Sequence, residues 1–198
     1  MLWLTWLVLI IGGYLLGSIP SGYILVKLKK GIDIRRYGSG NPGSTNTARV
    51  AGRGLGIVVF ALDAAKGAIP ALLGLAVCPE AAALAGFAAF LGHLWPIWLG
   101  FSGGKGVATA FGAALVIAPV PSLIVIAAWL IISVATSYVS VGSCSAAVLL
   151  VIILLFVYHN WICILVFAAI AALICWRHKS NFKNLKNGTE GKSFRRHK

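Results

Sequence analysis

Seven apolar runs take up most of this chain, and they restrict it to a fold that lives in lipid. They fall at 3–26, 55–77, 82–101, 107–119, 122–137, 141–157 and 161–176. A membrane-crossing helix needs roughly 17–25 residues. The first three runs meet that length, while the fourth and the last three stand at or below its low end. A re-entrant hairpin built from the fourth and fifth would leave the rest of the topology unchanged. The first run is too long for the core of a cleavable leader and has no basic segment before it, so it reads as a retained span. Composition agrees. Of 198 residues 60% are hydrophobic and 11% charged, with a mean hydropathy of +0.94, more apolar surface than a soluble domain of this size could cover.

The net charge is +13, and where the charge lies matters more than its size. Seven of the 17 basic residues lie between Lys27 and Arg53 and eight between Arg177 and Lys198, with only Lys66 and Lys105 between those blocks. Basic clusters flanking apolar spans follow the positive-inside rule, and anionic headgroups account for the remainder, so nucleic acid is not the expected partner. The connections at 78–80, 119–121 and 158–160 carry no Lys or Arg, whereas the first and third loops and the tail do. The expectation is an all-α integral membrane protein of about seven transmembrane helices, with the N-terminus outside and the C-terminus cytoplasmic. It forms a single polytopic membrane domain over 1–198, ending in a basic cytoplasmic tail at 177–198. Cys78, Cys144, Cys163 and Cys175 form no C-x-x-C pair and read as small apolar residues.

Polar and glycine-rich sequence gathers on the cytoplasmic side. Residues 36–49 hold Gly38, Gly40 and Gly43 interleaved with Ser39, Asn41, Ser44, Thr45, Asn46 and Thr47. Glycine lets backbone N–H groups turn toward an anion, and hydroxyl and amide side chains add donors. A helix starting near Thr45 would put Thr45 and Arg49 one turn apart at an anion-favouring helix start. The plainer alternative is an ordinary glycine-rich connection. Gly103-Gly104-Lys105-Gly106 precedes an apolar run and outlines a second phosphate site, or simply anchors a helix end. It is not a nucleotide P-loop, because Leu99 and Gly106 stand where Gly and Ser or Thr are required. His178 and Asn181, three apart, would share a face of a continuing helix. Asp63 and Lys66, also three apart but inside a span, read as a structural pair, and His93 as support behind the site. The four acids of the chain, Asp33, Asp63, Glu80 and Glu190, lie outside these polar segments. That excludes a metal site and a paired-carboxylate hydrolase.

These motifs together resemble one family. Residues 38–49, Gly-Ser-Gly-Asn-Pro-Gly-Ser-Thr-Asn-Thr-Ala-Arg, closely resemble the first signature of the bacterial acyl-phosphate:glycerol-3-phosphate acyltransferases (PlsY). Residues 92–96 with 103–109 resemble the second, and 138–143 and 177–181 the remaining two. The early 17–22 also fits, and the resemblance runs over nearly the whole chain. Thr136-Ser137 departs mildly from relatives that carry basic residues there. The resemblance implies transfer of a fatty acyl group from a long-chain acyl phosphate to the 1-hydroxyl of glycerol 3-phosphate, giving lysophosphatidic acid without any cofactor. It also implies a bacterial cytoplasmic membrane location with the active site facing the cytoplasm. By position, His178, Asn181 and Lys105 would be catalytic. Ser39, Gly40, Asn41, Gly43, Thr45, Asn46, Arg49, Gly103, Gly104 and Ser143 would bind substrate. Membrane lipid is an implied partner, and a soluble acyl-phosphate-forming enzyme is a candidate at the tail. The general base is left between His178 and a substrate phosphate. A transporter for a phosphorylated metabolite is the rival reading. It would make Asp63 and Lys66 central, but the chain shows no inverted repeat.

Overall fold

The computed structural model of the chain describes residues 2–193, so Arg195, Arg196 and Lys198 of the expected tail lie outside the described residues. It contains ten α-helices and two short 3₁₀ turns among those residues and divides into two compact units between Ile117 and Ala118.

The first unit holds α1 (Leu2–Gly17), α2 (Ser21–Lys30), α3 (Ser44–Ala51), α4 (Arg53–Leu75), α5 (Pro79–Leu94) and α6 (Val107–Ile117). The first apolar run is therefore two helices, together a 28-residue candidate span over Trp3–Lys30, interrupted at residues 18–20. Pro20 supplies the break, since it cannot continue the backbone ladder. α2 stops where Gly31 turns left-handed at φ +69° and donates its N–H to Lys27 O. α4 packs on α1, α5 and α6 through small residues, as membrane helices do. A Cβ at Gly67 would fall on Thr109 O, and one at Gly112 on Ala64 O, so only glycine permits this approach of α4 and α6. With 11 residues, α6 reaches about 16 Å, roughly half the hydrocarbon core.

The second unit holds α7 (Pro119–Thr136), α8 (Val139–Val157), α9 (Trp161–Arg177) and α10 (Lys179–Lys186). Pro119 opens α7, and Asn160 caps α9 by accepting the Cys163 N–H at 3.1 Å. α9 and α10 are bent by 46° relative to one another. In both units the outward faces are apolar: Ile57, Leu72, Ile131, Phe156 and Leu165 are all exposed. Water does not tolerate such faces, but lipid does. Five helical segments of the described residues are long and apolar enough to cross a membrane, or six if α9 and α10 count as one bent span.

Candidate functional site

The first glycine-rich segment is a loop folded back on the start of α3. Asn46, buried in α3, fastens it: its Oδ1 accepts the Ser39 N–H (2.9 Å), and its Nδ2 donates to Tyr37 O (2.9 Å) and Asn41 O (3.0 Å). Gly38, at φ +60°, must be glycine, because a Cβ there would also strike Asn46 Oδ1. Asn46 therefore serves the loop with both ends of its amide rather than facing outward as a ligand. The loop amides expected to face an anion are partly engaged as well. Gly43 N–H donates to Asn41 Oδ1 (2.9 Å) and Gly40 N–H to Tyr37 O (3.0 Å). The first intrahelical bond of α3 runs from Thr47 N–H to Gly43 O, so Ser44, Thr45 and Asn46 carry the orphan amides of a helix start. Thr45 and Arg49, one turn apart, are both exposed, as is Ser39. Upstream, Asp33 caps the Ile34–Arg36 turn; the side-chain hydrogen bond from Arg35 holds its carboxyl at about 2.

The second glycine-rich segment lies on the C-terminal end of α5. Gly103 N–H donates to Leu94 O (3.1 Å) and Gly104 N–H to His93 O (3.0 Å). Lys105 follows, half-buried, directly before α6. One cavity of this unit is bordered by Pro42 of the first segment and by Gly103 and Gly104 of the second, so the fold brings these two motifs to one place. Ser18 and Ser21, on either side of the break in the first span, line the same cavity. So do Asp63, Lys66 and His93. Lys66 Nζ lies 2.9 Å from Asp63 Oδ1 and donates to Ile19 O at 2.9 Å, both side chains being buried. The ion pair thus satisfies a carbonyl freed by the helix break.

In the second unit, Ser143 on α8 is buried and accepts the Trp129 Nε1–H from α7 at 3.2 Å. An indole only donates, so the Ser143 hydroxyl keeps its own proton for another acceptor. His178 is the corner between α9 and α10. Its backbone N–H reaches Ile174 O (3.1 Å), and its Nδ1 lies 2.8 Å from the same oxygen. A carbonyl only accepts, so Nδ1 carries the proton and Nε2 is the acceptor nitrogen of the neutral ring. Asn181 Nδ2 donates to Glu190 Oε1 at 2.6 Å, and Ser140 Oγ donates to the same oxygen at 3.2 Å.

Trp129 and Glu190, which bond Ser143 and Asn181, were not singled out from the sequence. Glu190 stands outside every motif, and the one available signal was that it is the sole acid of the tail. The chain returns there through Gly188 at φ +69°, and Ser193 N–H donates to Ser137 O at 3.0 Å. Glu190→Ala is expected to lower turnover roughly ten- to hundredfold by releasing Asn181 from a charge-assisted bond. Glu190→Gln, which still offers an acceptor oxygen, should lose less, as steady-state rates on folded protein will read.

Comparison with known proteins agrees with this geometry. The family model described as glycerol-3-phosphate acyltransferase matches residues 7–188. A glycerol-3-phosphate acyltransferase of Shouchella clausii is 46% identical over 193 residues, covering 93% of this chain and 94% of the relative. Two crystal structures of PlsY, an integral membrane glycerol 3-phosphate acyltransferase, share the fold over 94% of both chains. The glycerol 3-phosphate form has a TM-score of 0.92 at 39% identity, and the lysophosphatidic acid form 0.88 at 37%. This chain is an integral membrane protein that belongs to the glycerol-3-phosphate acyltransferase family, in its PlsY branch.

Proposed function

We propose that this chain moves a fatty acyl group from acyl phosphate to the 1-hydroxyl of glycerol 3-phosphate, releasing lysophosphatidic acid and inorganic phosphate. The observation that carries the reading is α3, whose first-turn amides and exposed Thr45 lie one helical turn from the exposed Arg49, a grouping that suits an anion. The PlsY structure with TM-score 0.92 is a glycerol 3-phosphate form, which supports the same substrate here.

An acyl phosphate is a mixed anhydride and needs no covalent enzyme intermediate. The glycerol hydroxyl oxygen attacks the carbonyl carbon, the carbon–oxygen bond to phosphate breaks, and the hydroxyl proton leaves with a phosphate. The enzyme's tasks are alignment and neutralisation of the leaving group. Alignment supplies up to roughly 7–11 kcal/mol and each oriented donor about 3–4 kcal/mol. Ser39, Gly40, Asn41, Gly43, Thr45, Arg49, Gly103, Gly104 and Lys105 serve the phosphates, with Asn46 holding the first loop in shape. Ser143 and Asn181 supply the remaining donors and the carbonyl contact, and His178 offers the acceptor Nε2 of its ring. The protein works in the bacterial cytoplasmic membrane with these segments facing the cytoplasm. Seven passes follow when the broken first span and short α6 each count as one, with the N-terminus outside.

The substrate phosphate takes the proton in this reading. His178→Gln should then retain at least about a tenth of kcat, since general-base removal costs on the order of 10²–10⁴. A loss of four decades would make His178 the base. A rival reading as a transporter draws on the broken first span beside a buried ion pair. Purified protein given glycerol 3-phosphate with palmitoyl phosphate, or with palmitoyl-CoA in parallel, decides. Product from the acyl phosphate alone is expected. No product from either donor on folded protein, with phosphate uptake into vesicles, would establish the rival.

A further inference from the structure

His93 is nearly fully buried, and its two ring nitrogens face different elements. Nδ1 stands 3.8 Å from Asp63 Oδ1, the oxygen that Lys66 holds at 2.9 Å. Lys66 is in turn tied to Ile19 O at the break in the first span. The opposite edge of the ring meets the second glycine-rich loop. The three atoms nearest a Cβ built on Gly104 are His93 Nε2, Cδ2 and Cε1, the last two at 2.9 Å. The flanking glycines do not share this contact. A Cβ on Gly103 would meet the His93 and Leu94 carbonyls and Pro96, and one on Gly106 would meet Phe90 and Leu94. Of the loop's glycines it is Gly104 whose Cβ position lies against the imidazole, and Lys105 is the next residue.

We infer that His93, packed between the buried Asp63–Lys66 pair and Gly104, is a positioning residue that sets the height of Gly104 and so where Lys105 presents its ammonium to glycerol 3-phosphate. This rests on the proposed reading of Lys105 as a phosphate ligand. Asp63, Lys66 and His93 are all buried, and packed interiors transmit displacement rather than absorb it. A methyl group on Gly104 can be accommodated only by moving the ring or lifting the loop, which links the two residues in a way a double-mutant cycle reads.

The test compares wild type, Gly104→Ala, His93→Ala and the double variant. Each is measured for KM and kcat with palmitoyl phosphate, and for glycerol 3-phosphate dissociation by calorimetry. Gly104→Ala should raise KM and Kd about tenfold by overpacking, and His93→Ala about fivefold by releasing the loop. Because removing the ring makes room for the methyl, the double variant should stay at or below about tenfold, not the product of about fiftyfold. Any fall in kcat should follow the same non-additive pattern as KM and Kd, since Lys105 is displaced rather than removed. If His93→Ala does not yield folded protein, His93→Asn takes its place in the cycle. Multiplicative effects, or an unchanged KM and Kd in folded His93→Ala, overturn the inference. Wild type that binds glycerol 3-phosphate without turning over acyl phosphate defeats the proposed reaction alone, and the calorimetric cycle still decides the role of His93. Wild type that binds no glycerol 3-phosphate defeats both.

Discussion

Arg49→Ala and Lys105→Ala will each lower kcat/KM by about two to three decades, the loss typical of one oriented donor at developing charge. Neither residue is fully buried. Arg49 is exposed on the last turn of α3, and Lys105 is half-buried in a loop whose shape is set by the glycines around it. Both variants should therefore purify as folded protein, with the loss confined to rate and phosphate affinity. Arg49→Lys should recover only part of the loss. A guanidinium offers a planar fork of donors that matches phosphate, whereas an ammonium is a point charge. Steady-state assays with palmitoyl phosphate will measure this. Rates within threefold of wild type for Arg49→Ala would remove α3 from the substrate site.

The second large effect is on stability. Asp63→Ala or Lys66→Ala alone should cost about 3–5 kcal/mol, because each leaves the other charge buried without its partner. The pair is shielded from solvent on both sides, with side-chain exposures of only 3% and 6%. The double variant Asp63→Leu/Lys66→Met should be far milder, since two apolar side chains carry no desolvation penalty. It should not return fully to wild type. Lys66 also donates to Ile19 O in the helix break, and the loss of that hydrogen bond costs about 0.5–1.5 kcal/mol, the carbonyl keeping the Ser21 N–H. Thermal unfolding in detergent will rank the four proteins. Single variants as stable as wild type would show the pair to be dispensable to the fold and revive the transport reading.

How much of this was legible beforehand depends on the range of the interaction concerned. The helices of the membrane were readable because lipid demands long uncharged runs, and such runs are a local property. The candidate spans over Arg53–Leu75 and Val139–Val157 lie where apolar residues were densest. The glycine-rich loops were readable too, since residues 38–49 and 103–106 announce by composition a backbone free to turn. The direction of Asn46 was not. Its side chain turns inward because Tyr37, Ser39 and Asn41, five to nine residues away, need its amide more than a ligand does. Nor was the gap at residues 18–20, although Pro20 marked it, because it is sustained by Lys66, 47 positions later.

By itself the sequence determined that this chain lives in a membrane and which runs are apolar enough to cross it, and it marked the glycine-rich motifs proposed here to bind anions, because hydropathy and glycine content act where they are written. Tertiary structure alone decided that Glu190 grips Asn181, that Trp129 leaves Ser143 a donor, and that His93 sits beneath Gly104. Those pairings join positions 9, 14 and 11 residues apart. They form only when separate helices and turns pack, so no local pattern encodes them.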